Sequence, residues 1–193
     1  MSACLYTTLS NPYVIAAEGT TYVRITPMAQ VNPDDLTAFL AFHQFAQEKA
    51  PGFLKPLSVE AVQKSDVMVQ MKSATGNLLA QCLLTQGDNM EKSEFAHYPA
   101  DHKHGKTLII SSLAGLKHGN MMMTAIVNYA RKNGYEGLLA KTHSRNSKGI
   151  DFFDANYFTN GITYTAPGEN YAAHYFYFSL TKSMGFVAVP VSP

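Results

Sequence analysis

Between Lys106 and Phe158 the chain reads strand, glycine turn, helix, strand, asparagine, helix, an order that points to an α/β architecture. The apolar run Thr107–Ile110 leads into Ser111–Met121, which contains Gly115 and Gly119, and then into a helical pattern over Met122–Lys132. Gly134-Tyr-Glu-Gly137 precedes a short apolar run, Leu138-Leu-Ala140, and Asn146 opens a last helical stretch through Phe153. A strand that feeds a glycine turn at a helix N-terminus presents free backbone N–H groups, which suit an anionic phosphate. A phosphate-bearing ligand is therefore the first expectation.

The bulk numbers remove other classes. With 193 residues the chain has room for one domain, 1–193, with a sizeable core. Hydrophobic residues make up 46% and charged residues 15%, which argues against global disorder. A net charge of +1 leaves no strong field for nucleic acid or an anionic membrane surface, so neither is expected as a partner. Cys4 and Cys82 sit in apolar surroundings without a CxxC, which reads as a reduced protein with two buried thiols, a disulfide between them being left open. No apolar run nears the ~18 residues of a membrane span, and the N-terminus lacks a basic start and apolar block. A soluble, cytoplasmic protein is expected.

Along the chain, residues 1–18 are apolar and suit a strand or a packed arm. Tyr22–Thr26 alternates as a strand. Asn32-Pro33-Asp34-Asp35 is a helix start: Asn32 caps, Pro33 suits the first turn, and the acids favour the positive end of the dipole. Leu36, Phe39, Leu40 and His43 then share one helix face to about Lys49. Pro51-Gly52 ends it, and Ser58 caps a short helix to Gln63. Asp66–Ser73 and Asn77–Leu84 form a hairpin around Ala74-Thr-Gly-Asn77. Residues 85–105 read as a long loop, Thr159-Asn-Gly-Ile162 as a tight turn, and Tyr171–Leu180 as an aromatic strand. The order is β-α-α-β-β-β-α-β-α-β.

That order, with the 106–158 block, resembles the GCN5-related N-acetyltransferase superfamily over residues 20–180. Tyr22-Val-Arg-Ile-Thr-Pro27 followed by Asp34-Asp35-Leu36 looks like that family's first strand and the start of its first helix. The resemblance implies a mixed, mostly antiparallel central sheet with helices on both faces and splayed fourth and fifth strands. It implies acetyl-CoA, or another acyl-CoA, in the gap, its pyrophosphate cradled by an Arg/Gln-x-x-Gly-x-Gly/Ala turn. The matching segment is Leu116-Lys117-His118-Gly119-Asn120-Met121, where Gly119 alone fits. Backbone N–H groups do most of that holding, so side chains vary, and Lys117 and His118 add positive charge. Leu113 supplies backbone on the fourth strand. The family's Asn-x-x-Ala-x-x-hydrophobic-Tyr pattern falls on Asn146, Gly149, Phe152 and Phe153, with Tyr157-Phe158 beyond. Asn146 is thereby implied to bond the pantetheine arm, and Phe153 to stand where many members place a proton-donating tyrosine. A phenyl ring donates no proton, and Tyr157 is the nearest substitute.

The implied reaction is acyl transfer to an amine of a small molecule or a protein, with a homodimer left open. No glutamate lies on strand 107–113, so His143, or else His174, is the candidate base. Each also fits a structural histidine, Gly119 a turn glycine, and Asn146 a helix cap. Leu116, Met121 and Phe153 motivate a rival, a catalytically degenerate binding or dimerisation module on the same fold. A third reading places a metal on His97, His102 and His104, against a solvated loop; no metal is expected. His104-Gly-Lys-Thr107 mimics the tail of a P-loop, but position 100 is alanine and a strand follows, so it is rejected.

Overall fold

A computed structural model of the chain describes residues 6–7, 13–17, 21–89, 106–116, 119–165 and 171–181. Among these, nine strands form one mixed sheet: β1 (Tyr6–Thr7), β2 (Tyr13–Ala17), β3 (Thr21–Pro27), β4 (Val67–Ser73), β5 (Leu78–Gln86), β6 (Thr107–Gly115), β7 (Gly137–His143), β8 (Thr159–Tyr164) and β9 (Ala173–Ser179). Their spatial order is β1-β2-β3-β4-β5-β6-β7-β9-β8. Every neighbouring pair is antiparallel except β6 and β7, which run parallel because α3 crosses over between them. The helices are α1 (Pro33–Lys49), α2 (Val59–Gln63), α3 (Gly119–Lys132) and α4 (Ser147–Ala155).

Strand alternation sorts the helices onto two faces. On β4 and β5, Met68 and Leu83 point to one face and pack with Phe39 of α1 and Val62 of α2. Val69, Met71, Cys82 and Leu84 point to the other and pack with Met122, Met123, Ala125 and Ile126 of α3 and Phe153 of α4. Phe39 is fully buried, which is worth about 2–3 kcal/mol of hydrophobic stabilisation. The expected caps form. The Asn32 side chain accepts from Asp35 N at 2.7 Å, and Ser58 Oγ accepts from Ala61 N at 3.2 Å. No helix among the described residues is long and apolar enough to cross a membrane.

Some boundaries differ from the sequence reading. Residues 159–162, read as a tight turn, belong to β8, and the Asn160-Gly161 signal marks a register irregularity between Asn160 and Thr163. The apolar N-terminal segment contributes two strands at the sheet edge rather than one. The strand begun at Thr107 runs on through Ser111 to Gly115, and α3 starts at Gly119, before the methionines. Residues 87–89 make one 3₁₀ turn. His97, His102 and His104 lie outside the described residues, as do Cys4, Lys117 and His118.

Candidate active site

The parallel pair β6–β7 holds for four residues, from Thr107 opposite Gly137 to Ile110 opposite Ala140. Past that point each strand follows its other neighbour. β7 stays paired with β9 through His143 opposite Ala173, while β6 turns toward β5. On β6, Ser112 and Leu113 together face the single residue Cys82, between the pairs Leu83–Ser111 and Gln81–Ala114, which makes a β-bulge. Ser112 takes φ 51°, a left-handed conformation uncommon outside glycine, asparagine and aspartate. The result is a wedge between Ser111–Gly115 and Lys141–His143. Among the described residues, no strand lies opposite the β6 edge past Ile110 on the β7 side.

A cavity of about 630 Å³ fills the wedge. From the α4 face it is lined by Leu113, Thr142, Asn146, Gly149 and Phe153, and from the α1 face by Phe53, Lys55, Lys141, His143 and Tyr171. Asn146 caps α4: its Oδ1 accepts from Gly149 N at 3.1 Å and its Nδ2 donates to Thr142 Oγ1 at 3.0 Å. Gly149 is needed for this packing, because a Cβ there would lie 2.6 Å from Asn146 Nδ2 and 2.8 Å from Thr142 Oγ1. Phe153 is 3% exposed and stacks among Phe152, Phe158 and Phe176.

Of the residues singled out from the sequence, Leu113, His143, Asn146 and Phe153 come together on this cavity. Leu116, Gly119, Asn120 and Met121 do not line it. Leu116 is exposed and donates its N–H to Leu79 O at 2.9 Å. Gly119 has no left-handed φ; it is small because the Phe152 ring abuts it, 2.6 Å from where a Cβ would stand. Asn120 Oδ1 accepts from Asn156 Nδ2 at 3.1 Å, and Met121 packs half-buried against the core rather than across the wedge. Tyr157 sits away from the cavity, 59% exposed, with φ 63° in the turn that ends α4. Phe158 N bonds Phe153 O at 3.1 Å and Tyr157 N bonds Asp154 O at 3.0 Å, the pattern of a Schellman cap whose left-handed position Tyr157 occupies.

His143 is held by rings and by the backbone. It stacks on Tyr171 at 4.9 Å and 15°, and Phe53 meets it edge-on at 5.6 Å. Arg145 N–H donates to His143 Nδ1 at 3.0 Å, so the neutral ring carries its proton on Nε2 and its basic lone pair is already engaged. His174 bonds Thr163 through Nδ1 at 3.0 Å and is not part of the cavity. His43, which the sequence placed only on a core face, does line it. His43 is 3% exposed, and its Nε2 donates to Lys55 O at 2.9 Å. Cys82 faces the bulge but lies fully buried off the cavity, and burial pushes its thiol pKa up, so it is no nucleophile.

No family model and no curated protein sequence matches the chain. Solved structures do. An N-acetyltransferase from Staphylococcus aureus Mu50 superposes with a TM-score of 0.61 at 15% identity, covering 82% of this chain and 97% of its own. A GCN5-related N-acetyltransferase from Brucella melitensis gives 0.59 at 15%, covering 88% and 80%. The structure of yncA from Salmonella typhimurium with its cofactor acetyl-CoA gives 0.57 at 12%, covering 84% and 96%. The wedge, the bulge and these superpositions define one class: the chain has the fold of the GCN5-related N-acetyltransferases.

Proposed function

We propose that the protein is an acyl-CoA-dependent N-acyltransferase that moves an acetyl group from acetyl-CoA to a primary amine of a small molecule or protein. The observation that carries this reading is the wedge between β6 and β7, with the bulge at Ser112–Leu113 opening into a cavity of about 630 Å³. The acyl end and pantetheine arm of the thioester fit that space, between the unopposed edge of β6 and the Thr142–Asn146 hydrogen bond. Asn146 Nδ2 spends one of its two protons on Thr142, and the other serves the pantetheine amide. Backbone N–H at the bulge polarises the thioester carbonyl, an effect that is strongest in a water-poor site. The pyrophosphate falls to the segment leading into α3, residues 116–121, as the family resemblance implies.

Phe153 leaves no phenol on the α4 side of the described lining, Tyr171 being stacked on His143 at the α1 face, and the His143 lone pair is taken by Arg145 N–H. Catalysis then rests on holding the amine against the carbonyl and on the bulge amides. Positioning supplies a large share of such accelerations, whereas a missing acid or base costs about 10²–10⁴-fold. The same two observations favour, as a second reading, a degenerate relative that binds without turning over.

Thermal unfolding with and without acetyl-CoA tests the first step. At 100 times its dissociation constant the ligand should add ~2.7 kcal/mol and raise Tm. Thiol release in the presence of an amine panel then separates transfer from mere binding. An unchanged Tm at millimolar acetyl-CoA, with no heat in calorimetry, refutes the assignment.

A further inference from the structure

The two halves of the cavity differ in kind. The α4-face half offers Asn146, Thr142 and Gly149, polar groups suited to an amide-bearing arm. The α1-face half is a wall of rings: Phe53 edge-on to His143, and His143 stacked on Tyr171 at 4.9 Å. Among the described residues that line the cavity, none carries a carboxylate. The ionisable ones are the bases His43, Lys55, Lys141 and His143 and the phenol Tyr171.

An alkylamine approaches such a site as an ammonium, since its pKa lies near ~10.4 and only about one molecule in a few thousand is neutral at pH 7. Recognition of that ammonium calls for a carboxylate or an open ring face, and its deprotonation calls for a free lone pair. Tyr171 is already stacked on His143 and has Lys55 Nζ 5.1 Å from its centroid. The described lining supplies no carboxylate. The Nδ1 lone pair of His143 is occupied by Arg145 N–H. The Nδ1 of His43 has no partner among the described residues, but it is buried from solvent.

From these observations, and resting on the acyltransferase reading above, we infer that the acceptor is a primary arylamine. Such an amine is neutral at pH 7 and needs no base to free its lone pair. Its flat ring matches the Phe53–His143–Tyr171 wall, where offset and edge contacts between rings are favourable. In the transfer, the arylamine nitrogen forms a bond to the thioester carbonyl carbon and the carbon–sulfur bond breaks. The electron pair leaves with the CoA sulfur, and the proton lost from nitrogen ends on that thiol.

The test uses the full chain with acetyl-CoA and amines that share one ring: substituted anilines against benzylamine and phenethylamine, read by thiol release at pH 7. The expected result is a kcat/KM at least about tenfold higher for anilines. Phe53→Ala should raise the aniline KM several-fold and leave the dissociation constant of acetyl-CoA unchanged. If benzylamine, phenethylamine or any other alkylamine is the better acceptor, the inference falls and the acyltransferase reading stands. If acetyl-CoA binds and anilines are not acetylated, the inference falls likewise. Absence of acetyl-CoA binding in calorimetry overturns both.

Discussion

The carboxamide of Asn146 is engaged at both ends, toward Gly149 N and Thr142 Oγ1, and that permits its two roles to be separated. Asn146→Ala removes the cap and should cost about 1 kcal/mol of stability by denaturant titration. Asn146→Asp keeps the acceptor and adds a favourable charge at the helix N-terminus, so stability should hold within ~0.5 kcal/mol. It deletes the Nδ2 donor, and acetyl-CoA affinity should fall by about 1 kcal/mol, a five- to tenfold change in calorimetry. Equal affinities for the Asp variant and the parent would reduce Asn146 to a cap. Tyr157 invites the complementary experiment. Its left-handed φ of 63° suits glycine, so Tyr157→Gly should stabilise the protein by about 1 kcal/mol. A phenol acting as the acid would lose ~10²–10⁴-fold in kcat on removal. From an exposed cap position outside the cavity, the expected loss is less than about twofold.

Among the elements, α1, β3 and β4 are tied together at Asp35. Its carboxylate accepts from Arg24 Nη1 at 2.7 Å, Lys72 Nζ at 2.8 Å and Asn32 Nδ2 at 3.0 Å, in a side chain 11% exposed. Burial pushes its pKa up, but the hydrogen bond and charge of Lys72, the charge of Arg24 and the Asn32 bond outweigh it and hold the carboxyl below its usual range. A depressed folded pKa stabilises the fold above the unfolded value and loses that contribution as pH falls through the folded one. Acid titration of stability should therefore show a decline setting in below about pH 4, and Asp35→Asn should flatten it while costing about 2 kcal/mol at neutral pH. The local half of this hub was legible: Asn32-Pro33-Asp34-Asp35 is a complete helix start. Its partners Arg24 and Lys72 were not, because pairing across strands is set by register. The same limit applies at the site. The Asn146 cap and the succession of elements from β3 to α4 could be read from residue types, and so could the hairpin at Ala74–Asn77. The left-handed Ser112 could not, since serine gives no sign of a positive φ, and the His143 tautomer depends on a single backbone N–H. Thr159–Ile162 misled because an Asn-Gly pair serves a β-irregularity as well as a turn.

Across the whole molecule, the sheet both supports the cavity and divides it. Opening β6 from β7 past Ile110 connects the two faces, with Asn146, Gly149 and Phe153 on the α4 side and Phe53, His143 and Tyr171 on the α1 side. On the proposed reaction, a site divided in this way would keep donor and acceptor apart until their reactive atoms met at the bulge. It also predicts how substitutions combine. Asn146→Asp acts on the donor half and Phe53→Ala on the acceptor half, each anchored in a different helix or turn with no shared hydrogen bond. Effects of independent sites add to within about 0.5 kcal/mol, whereas residues that share a partner couple by more. The expected outcome is therefore additive losses in kcat/KM for the double variant. The Asp substitution should be expressed in the acetyl-CoA dissociation constant and the Ala substitution in the acceptor KM. Steady-state kinetics on the four proteins measures the coupling directly. A coupling energy above about 1 kcal/mol would mean that both side chains shape one common pocket, and the division of labour between the two faces would have to be abandoned.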